Sequence, residues 1–154
     1  MGDVLSHRLG YAFYDTDQLI EKEAGMSVSR IFEVMGEEKF RSLETEILKG
    51  AWTGEENWVL SVGGGLPMKE ENRKLLKEIG TVVYLRVQAD TVLKRLKGDT
   101  SRPLLQGDNV KERVDSLLEY REPLYEDGAD IVVDVDEKTP EMIGEDVIRK
   151  FVES

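Results

Sequence analysis

Apolar positions along the 154 residues fall into two alternating rhythms. Four short runs, at 11–14, 57–62, 81–87 and 130–135, are nearly continuous and read as strands buried on both faces. Between them the apolar residues recur at helical spacing. Asp17 is placed to cap a helix running to Ala24 and stopped by Gly25, and Ser27 to cap a second, carrying Val28, Ile31, Phe32 and Met35 and ended by Gly36. A third places Phe40, Leu43, Ile47 and Leu48 on one face. Later helices carry Leu75, Leu76 and Ile79; Val92, Leu93 and Leu96; and Val110, Val114, Leu117 and Leu118. The last is expected to start with Thr139 as cap and Pro140 at the first helical position, burying Ile143, Val147, Ile148 and Phe151. Residues 1–10 read as the tail of a helix ahead of the first strand.

Strand and helix in alternation predict an α/β protein, a parallel β-sheet flanked by helices. Two stretches break the rhythm. Residues 16–50 hold successive helices without a strand and form a helical insertion. Residues 98–109, GDTSRPLLQGDN, mix turn formers with one arginine, as a lid does. The length suits one domain spanning 1–154, with a core of its own.

Charge narrows the choice of partner. A net charge of −11 counts against nucleic acid and anionic membranes, both of which require basic surface. Small anions stay open, since a few converging arginines hold them whatever the total charge. The chain has no cysteine, which removes disulfides and thiolate metal sites, and no apolar run of bilayer length; a cytoplasmic location is expected.

Candidate chemistry gathers at strand exits, where open parallel sheets bind ligands. Asp15 and Asp17 close the first apolar run, spaced so that both can face such a crevice. One carboxylate there suits a magnesium-bound water and the other a substrate hydroxyl, although Asp17 as a plain helix cap and Asp15 as a solvated side chain fit the spacing equally well. Gly63, Gly64 and Gly65 follow the strand WVLSV directly. Lacking side chains, they admit a ligand to the backbone and present N–H groups to it. Arg41 beside Phe40, Arg102 in the expected lid and Arg121 in YREPLY are candidate anion ligands, each weak alone. His7 reads as a solvent-facing helix residue, and Met35, Trp58 and the aromatic residues on apolar faces as core.

Taken together, LGYAFYDTDQLIE, IFEVMGEEKFRSLETEIL, VLSVGGG, DTSRPLL and YREPLYEDGADIVVD resemble the shikimate kinase family, small P-loop kinases of nucleoside-monophosphate-kinase-like fold. The stretches keep the family's order and spacing over nearly the whole chain. The resemblance implies transfer of the ATP γ-phosphoryl group to the 3-hydroxyl of shikimate, in aromatic amino-acid biosynthesis, by a monomer when complete. It implies that Asp17 engages the ring hydroxyls and the proton of the attacking one. Arg41 and Arg121 would bind the substrate carboxylate, Glu44 would support Arg41, and Gly63, Gly64 and Gly65 would offer backbone N–H groups. Asp15 would help hold Mg2+ mostly through water, Arg102 would neutralise phosphate charge, and Arg95 and Pro140 would sandwich adenine. Two other readings stand beside it: a non-catalytic shikimate-binding relative, and a kinase for another hydroxy acid such as gluconate.

The resemblance also implies a first strand and a Walker A loop, G-x-x-x-x-G-K-[ST], ahead of the first helix. No such motif occurs in the sequence. The family's strand order 2-3-1-4-5 would then lack its central member and leave two unpaired strand edges. A shortened start, an unprinted stretch between Met1 and Gly2, and a true loss of ATP chemistry each account for this. The first two fit better with the retained magnesium, lid and adenine residues. Without that loop the 154 residues are expected to be inactive by themselves.

Overall fold

A computed structural model of the chain describes residues 1–50, 52, 57–97 and 110–153. The stretch 98–109, expected as a lid and containing Arg102, lies outside the described residues. Two compact units divide the chain, Met1–Thr81 and Val82–Ser154.

The first unit opens with α1 (Gly2–Leu9), which ends at Gly10 in the left-handed region, φ 70°. A Cβ on Gly2 would lie 2.6 Å from the Phe13 ring, so a larger residue there would have to displace that ring. Strand β1 (Ala12–Asp15) follows, then α2 (Thr16–Ala24), α3 (Val28–Met35) and α4 (Glu37–Leu48), then β2 (Trp58–Ser61). A 3-10 turn (Leu66–Met68) leads into α5 (Glu70–Ile79). β1 and β2 run parallel, from Ala12 opposite Trp58 to Asp15 opposite Ser61. That register brings Asp15 level with the residue two before Gly63, so the two candidate stretches leave the sheet side by side. The helices between the strands pack on Ile20, Ile31 and Phe40, all buried, with Ala24, Met26, Val28, Leu43 and Ile47 around them.

In the second unit β3 (Val83–Arg86) pairs in parallel with β4 (Ile131–Asp134), Val83 opposite Ile131 and Arg86 opposite Asp134. Arg86 grips Asp134 with two hydrogen bonds, of 2.6 and 3.0 Å, across the strand ends. The crossover consists of α6 (Ala89–Lys97) and α7 (Val110–Gly128), and α8 (Pro140–Glu153) closes the unit against β4. Ile131, Val133 and Val135 alternate inward and, like Ile143 and Val147 of α8, are buried. As expected, Pro140 begins α8 and Thr139 caps it, accepting from Met142 N–H at 3.2 Å.

These are the two pairings that the family order implies for the four strands, and no ladder joins β2 to β3 among the described residues. Several expectations are corrected. The strands have four residues each, and β1 to β3 are mostly half-buried rather than covered on both faces, in keeping with a single hydrogen-bonded neighbour apiece. Phe32, Met35, Leu117 and Phe151 were expected in the core and are instead partly exposed. The cap of α2 is Asp15, not Asp17, because the helix already starts at Thr16. The YREPLY stretch lies inside α7, which runs through Arg121 and Pro123 to Gly128. Proline deprives Glu119 of its helical N–H donor, but both residues lie on the exposed side, where water can replace it.

Candidate functional site

The site is built where β1 and β2 end. Asp15 keeps extended backbone and turns its Oδ1 onto the N–H groups of Asp17 (2.9 Å) and Gln18 (3.3 Å), satisfying two of the orphan donors of α2. Asp17 therefore falls in the first helical turn, where the helix dipole favours a carboxylate. Thr16, fully buried between them, accepts from the Gly63 N–H at 3.3 Å and ties the exit of β2 to the start of α2.

Helix α4 brings the cation. Arg41 Nη1 donates to Glu44 Oε1 at 2.7 Å, Nη2 lies 3.6 Å from Glu37 Oε1, and the guanidinium carbon sits 5.4 Å from the centre of the Phe40 ring. Glu44 is 1% exposed. Burial pushes its carboxyl above the ordinary range while the Arg41 guanidinium opposes that rise. A buried carboxylate bonded to one edge of a guanidinium holds it in place and leaves other N–H groups for a ligand.

Glycine supplies the floor between these groups. A Cβ on Gly63 would stand 3.6 Å from both Asp17 Oδ1 and Glu44 Oε2. One on Gly65 would stand 2.5 to 2.7 Å from the Arg41 guanidinium atoms, closer than real contacts allow. Gly65 has ordinary backbone angles, φ −87° and ψ −16°, so it is space rather than conformation that calls for glycine. The Asp17 carboxyl is pushed up by burial first, then by the negative charge of Asp15 and Glu21, with Arg41 pulling the other way.

Of the residues singled out in the sequence, the structure thus brings together Asp15, Asp17, Arg41, Glu44, Gly63 and Gly65 in the first unit. Gly64, between the two packed glycines, is exposed. Arg95, exposed on α6, half-buried Arg121 on α7 and exposed Pro140 at the start of α8 belong to the second unit. There Asp136 accepts from Gln88 N–H at 3.0 Å and from the Thr91 hydroxyl at 2.5 Å, tying the segment before Pro140 to the helix that bears Arg95. Among the described residues no three His, Asp or Glu side chains cluster as a metal cage. Asp15 spends Oδ1 on the two N–H groups of α2, and its Oδ2 takes no part in those bonds. No described helix is long and apolar enough to cross a membrane.

Sequence reasoning missed Thr16, Thr45 and Asn72, all buried and hydrogen-bonded around the site. The available signal was polar residues placed on otherwise apolar helix faces.

Parallel strands with helical crossovers, and a carboxylate and a guanidinium converging on a glycine turn at the strand exits, define a small α/β protein equipped for an anionic hydroxylated ligand. A family profile described as shikimate kinase matches residues 1–153. A shikimate kinase of Thermodesulfovibrio yellowstonii is 40% identical over 151 residues, 98% of this chain and 86% of that protein. One from Nitrosospira multiformis is also 40% identical, over 98% of this chain and 77% of its own length. Among solved structures, shikimate kinase from Acinetobacter baumannii in complex with shikimate matches with a TM-score of 0.86 at 33% identity, covering 99% of this chain and 84% of that one. The Aquifex aeolicus enzyme gives 0.83 at 37% identity, covering 98% and 87%. The chain belongs to the shikimate kinase family.

Proposed function

We propose that the chain serves the reaction of its family, phosphorylation of the shikimate 3-hydroxyl by ATP, and that its first unit holds the sugar-like acid. The observation that carries this reading is the Arg41 guanidinium packed on Gly65 while the Asp17 carboxylate flanks Gly63. A carboxylate of the ligand meets the N–H groups of Arg41 that Glu44 does not hold, in place of the looser 3.6 Å pairing with Glu37. Ring hydroxyls meet Asp17 and the backbone of the 63–65 turn, whose Gly63 N–H is held by Thr16. Burial makes Asp17 a better proton acceptor than an ordinary carboxylate, as suits a group that shares the proton of the attacking hydroxyl.

By the family resemblance Arg121, in the second unit, is a further candidate ligand for a substrate carboxylate. Arg102 neutralises charge on the transferred phosphoryl group, and Arg95 and Pro140 take the adenine. Magnesium, when bound with ATP, supplies charge neutralisation at the phosphates, and Asp15 would hold it through water.

Because the Walker A motif is not among these 154 residues, binding rather than turnover is the primary test. Titration of shikimate into the protein in a calorimeter is expected to give saturable heat, abolished by Arg41→Ala and by Asp17→Asn. Gluconate is expected to give none. A parent protein that gives no heat with shikimate rejects the proposal, and a coupled ADP-release assay with ATP and Mg2+ then reports on the transfer step separately.

A further inference from the structure

The glycine turn is followed by a polar clamp that none of the roles above uses. Asn72, 1% exposed at the start of α5, donates from Nδ2 to the Leu66 carbonyl at 2.9 Å and accepts at Oδ1 from the Thr45 hydroxyl at 2.8 Å. The next residue, Arg73, donates from Nη1 to the carbonyls of Pro67 (2.8 Å) and Met68 (3.1 Å). Two consecutive side chains thus hold three consecutive carbonyls, all within the 3-10 turn that begins one residue after Gly65.

The polarity of this chain of bonds is fixed. The Leu66 carbonyl only accepts, so the amide nitrogen of Asn72 must face it and its oxygen must face Thr45. Thr45 has one hydroxyl proton and spends it on Asn72, the 2.8 Å partner, rather than on the Arg41 carbonyl at 3.3 Å. Thr45 lies one helical turn after Arg41 on α4, and Leu66 is joined to Gly63 by a backbone hydrogen bond of 3.2 Å. A single buried relay therefore runs from the helix that carries the cation to the turn that faces it.

We propose that Asn72 and Arg73 are positioning residues that set the height of the 63–65 turn against Arg41, so that the backbone N–H groups and the guanidinium reach one ligand together. This inference rests on the reading that Arg41 and the turn share a substrate. It explains why two polar side chains are engaged so near a core whose apolar neighbour Leu66 is fully buried. A buried amide with both ends satisfied fixes one geometry, whereas apolar packing alone tolerates sliding.

The test uses Thr45→Val, which keeps shape and removes the hydroxyl, Thr45→Ser, which restores it, and Arg73→Met. The first readout is hydrogen exchange at the Leu66 and Met68 amides, which bond to the Gly63 and Gly65 carbonyls. Thr45→Val is expected to speed it about tenfold, the effect of one lost hydrogen bond, while amides around Ile20 and Ile31 stay protected. The second readout is shikimate affinity, expected to fall about tenfold and to return with Thr45→Ser. Arg73→Met, away from the Thr45 contact, is expected to speed exchange at Met68 and keeps the proposal testable if Thr45→Val fails to fold. Unchanged exchange at both amides, or faster exchange with unchanged affinity, overturns the proposal. If the parent protein binds no shikimate, the substrate reading fails by itself, and the exchange data still decide whether the clamp positions the turn.

Discussion

Gly65→Ala offers a sharp separation of binding from stability. The backbone at Gly65 is ordinary for alanine, and stiffening the unfolded chain by Gly→Ala is worth about 0.4–1 kcal/mol in the mutant's favour. Against this, the new methyl would lie 2.5 Å from Arg41 Nη1, where ordinary contact begins at 3.4 Å. The guanidinium is the end of a flexible side chain and must retreat by about 0.9 Å, straining its 2.7 Å bond to Glu44. The two effects oppose each other, so stability should change by no more than about 1 kcal/mol. Affinity should suffer far more. A displaced charge-assisted hydrogen bond costs about 1.5–3 kcal/mol, which corresponds to between about tenfold and a hundredfold weaker shikimate binding. Calorimetric titration and urea unfolding of the same preparation measure both. In an Arg41→Ala background the methyl meets no guanidinium, and Gly65→Ala should then show its stabilising gain of about 0.4–1 kcal/mol undiminished; this double-mutant cycle isolates the contact. Unchanged affinity in the single mutant, with the fold intact, would refute the argument that Arg41 works from its seat on Gly65.

Further expectations concern charge and packing. The Asp17 carboxyl titrates above its ordinary 3.8 because burial disfavours the ion, so its favourable contribution is complete below that value and is lost as pH rises through the folded one. Asp17→Asn should therefore be at least as stable as the parent at pH 7 in urea melts, lose that advantage in acid, and bind no shikimate; a clear loss of stability at pH 7 would count against it. Thr91→Val removes a hydroxyl that holds Asp136 below the usual carboxylate range, a contribution present above 3.8 and lost as pH falls. The variant should be less stable at pH 7, by an amount that solvent screening keeps small, and the gap should close as pH falls below 3.8 through the lowered folded range. Ile31→Ala empties a fully buried site between α2 and α4 and should cost about 2–5 kcal/mol of stability in the same melts, with weaker shikimate binding as α4 loosens.

Much of this was legible in the sequence because the signals were local. Gly25 and Gly36 stop helices where expected, Ser27 and Thr139 cap them, and the four apolar runs became the four strands. Three glycines straight after an apolar run marked residues 63–65 from the sequence itself, whereas Arg41 and Glu44 took their roles from the family resemblance. What periodicity could not resolve was the two-residue shift at the start of α2. Asp15 and Asp17 are chemically identical cap candidates, and only the backbone decides which side chain turns onto the free N–H groups. Nor could it find Thr45 and Asn72, whose partnership joins residues distant in sequence and depends on α4 and α5 lying together. Pro123 inside α7 is a further case. Proline argues against a helix interior, yet on a solvated face its missing N–H costs too little to break a helix otherwise held by packing on α6.

The ladders carry one more consequence. Each is closed within an uninterrupted half of the chain, Ala12 finding Trp58 before residue 82 is needed, and Val83 finding Ile131 without returning to anything earlier. On the ribosome the leading half can thus zip its pair while the trailing half is still being translated. Helices α2 to α4, made of short-range contacts, precede the slower parallel pairing that must span them. Synthesis order and assembly order run in the same direction.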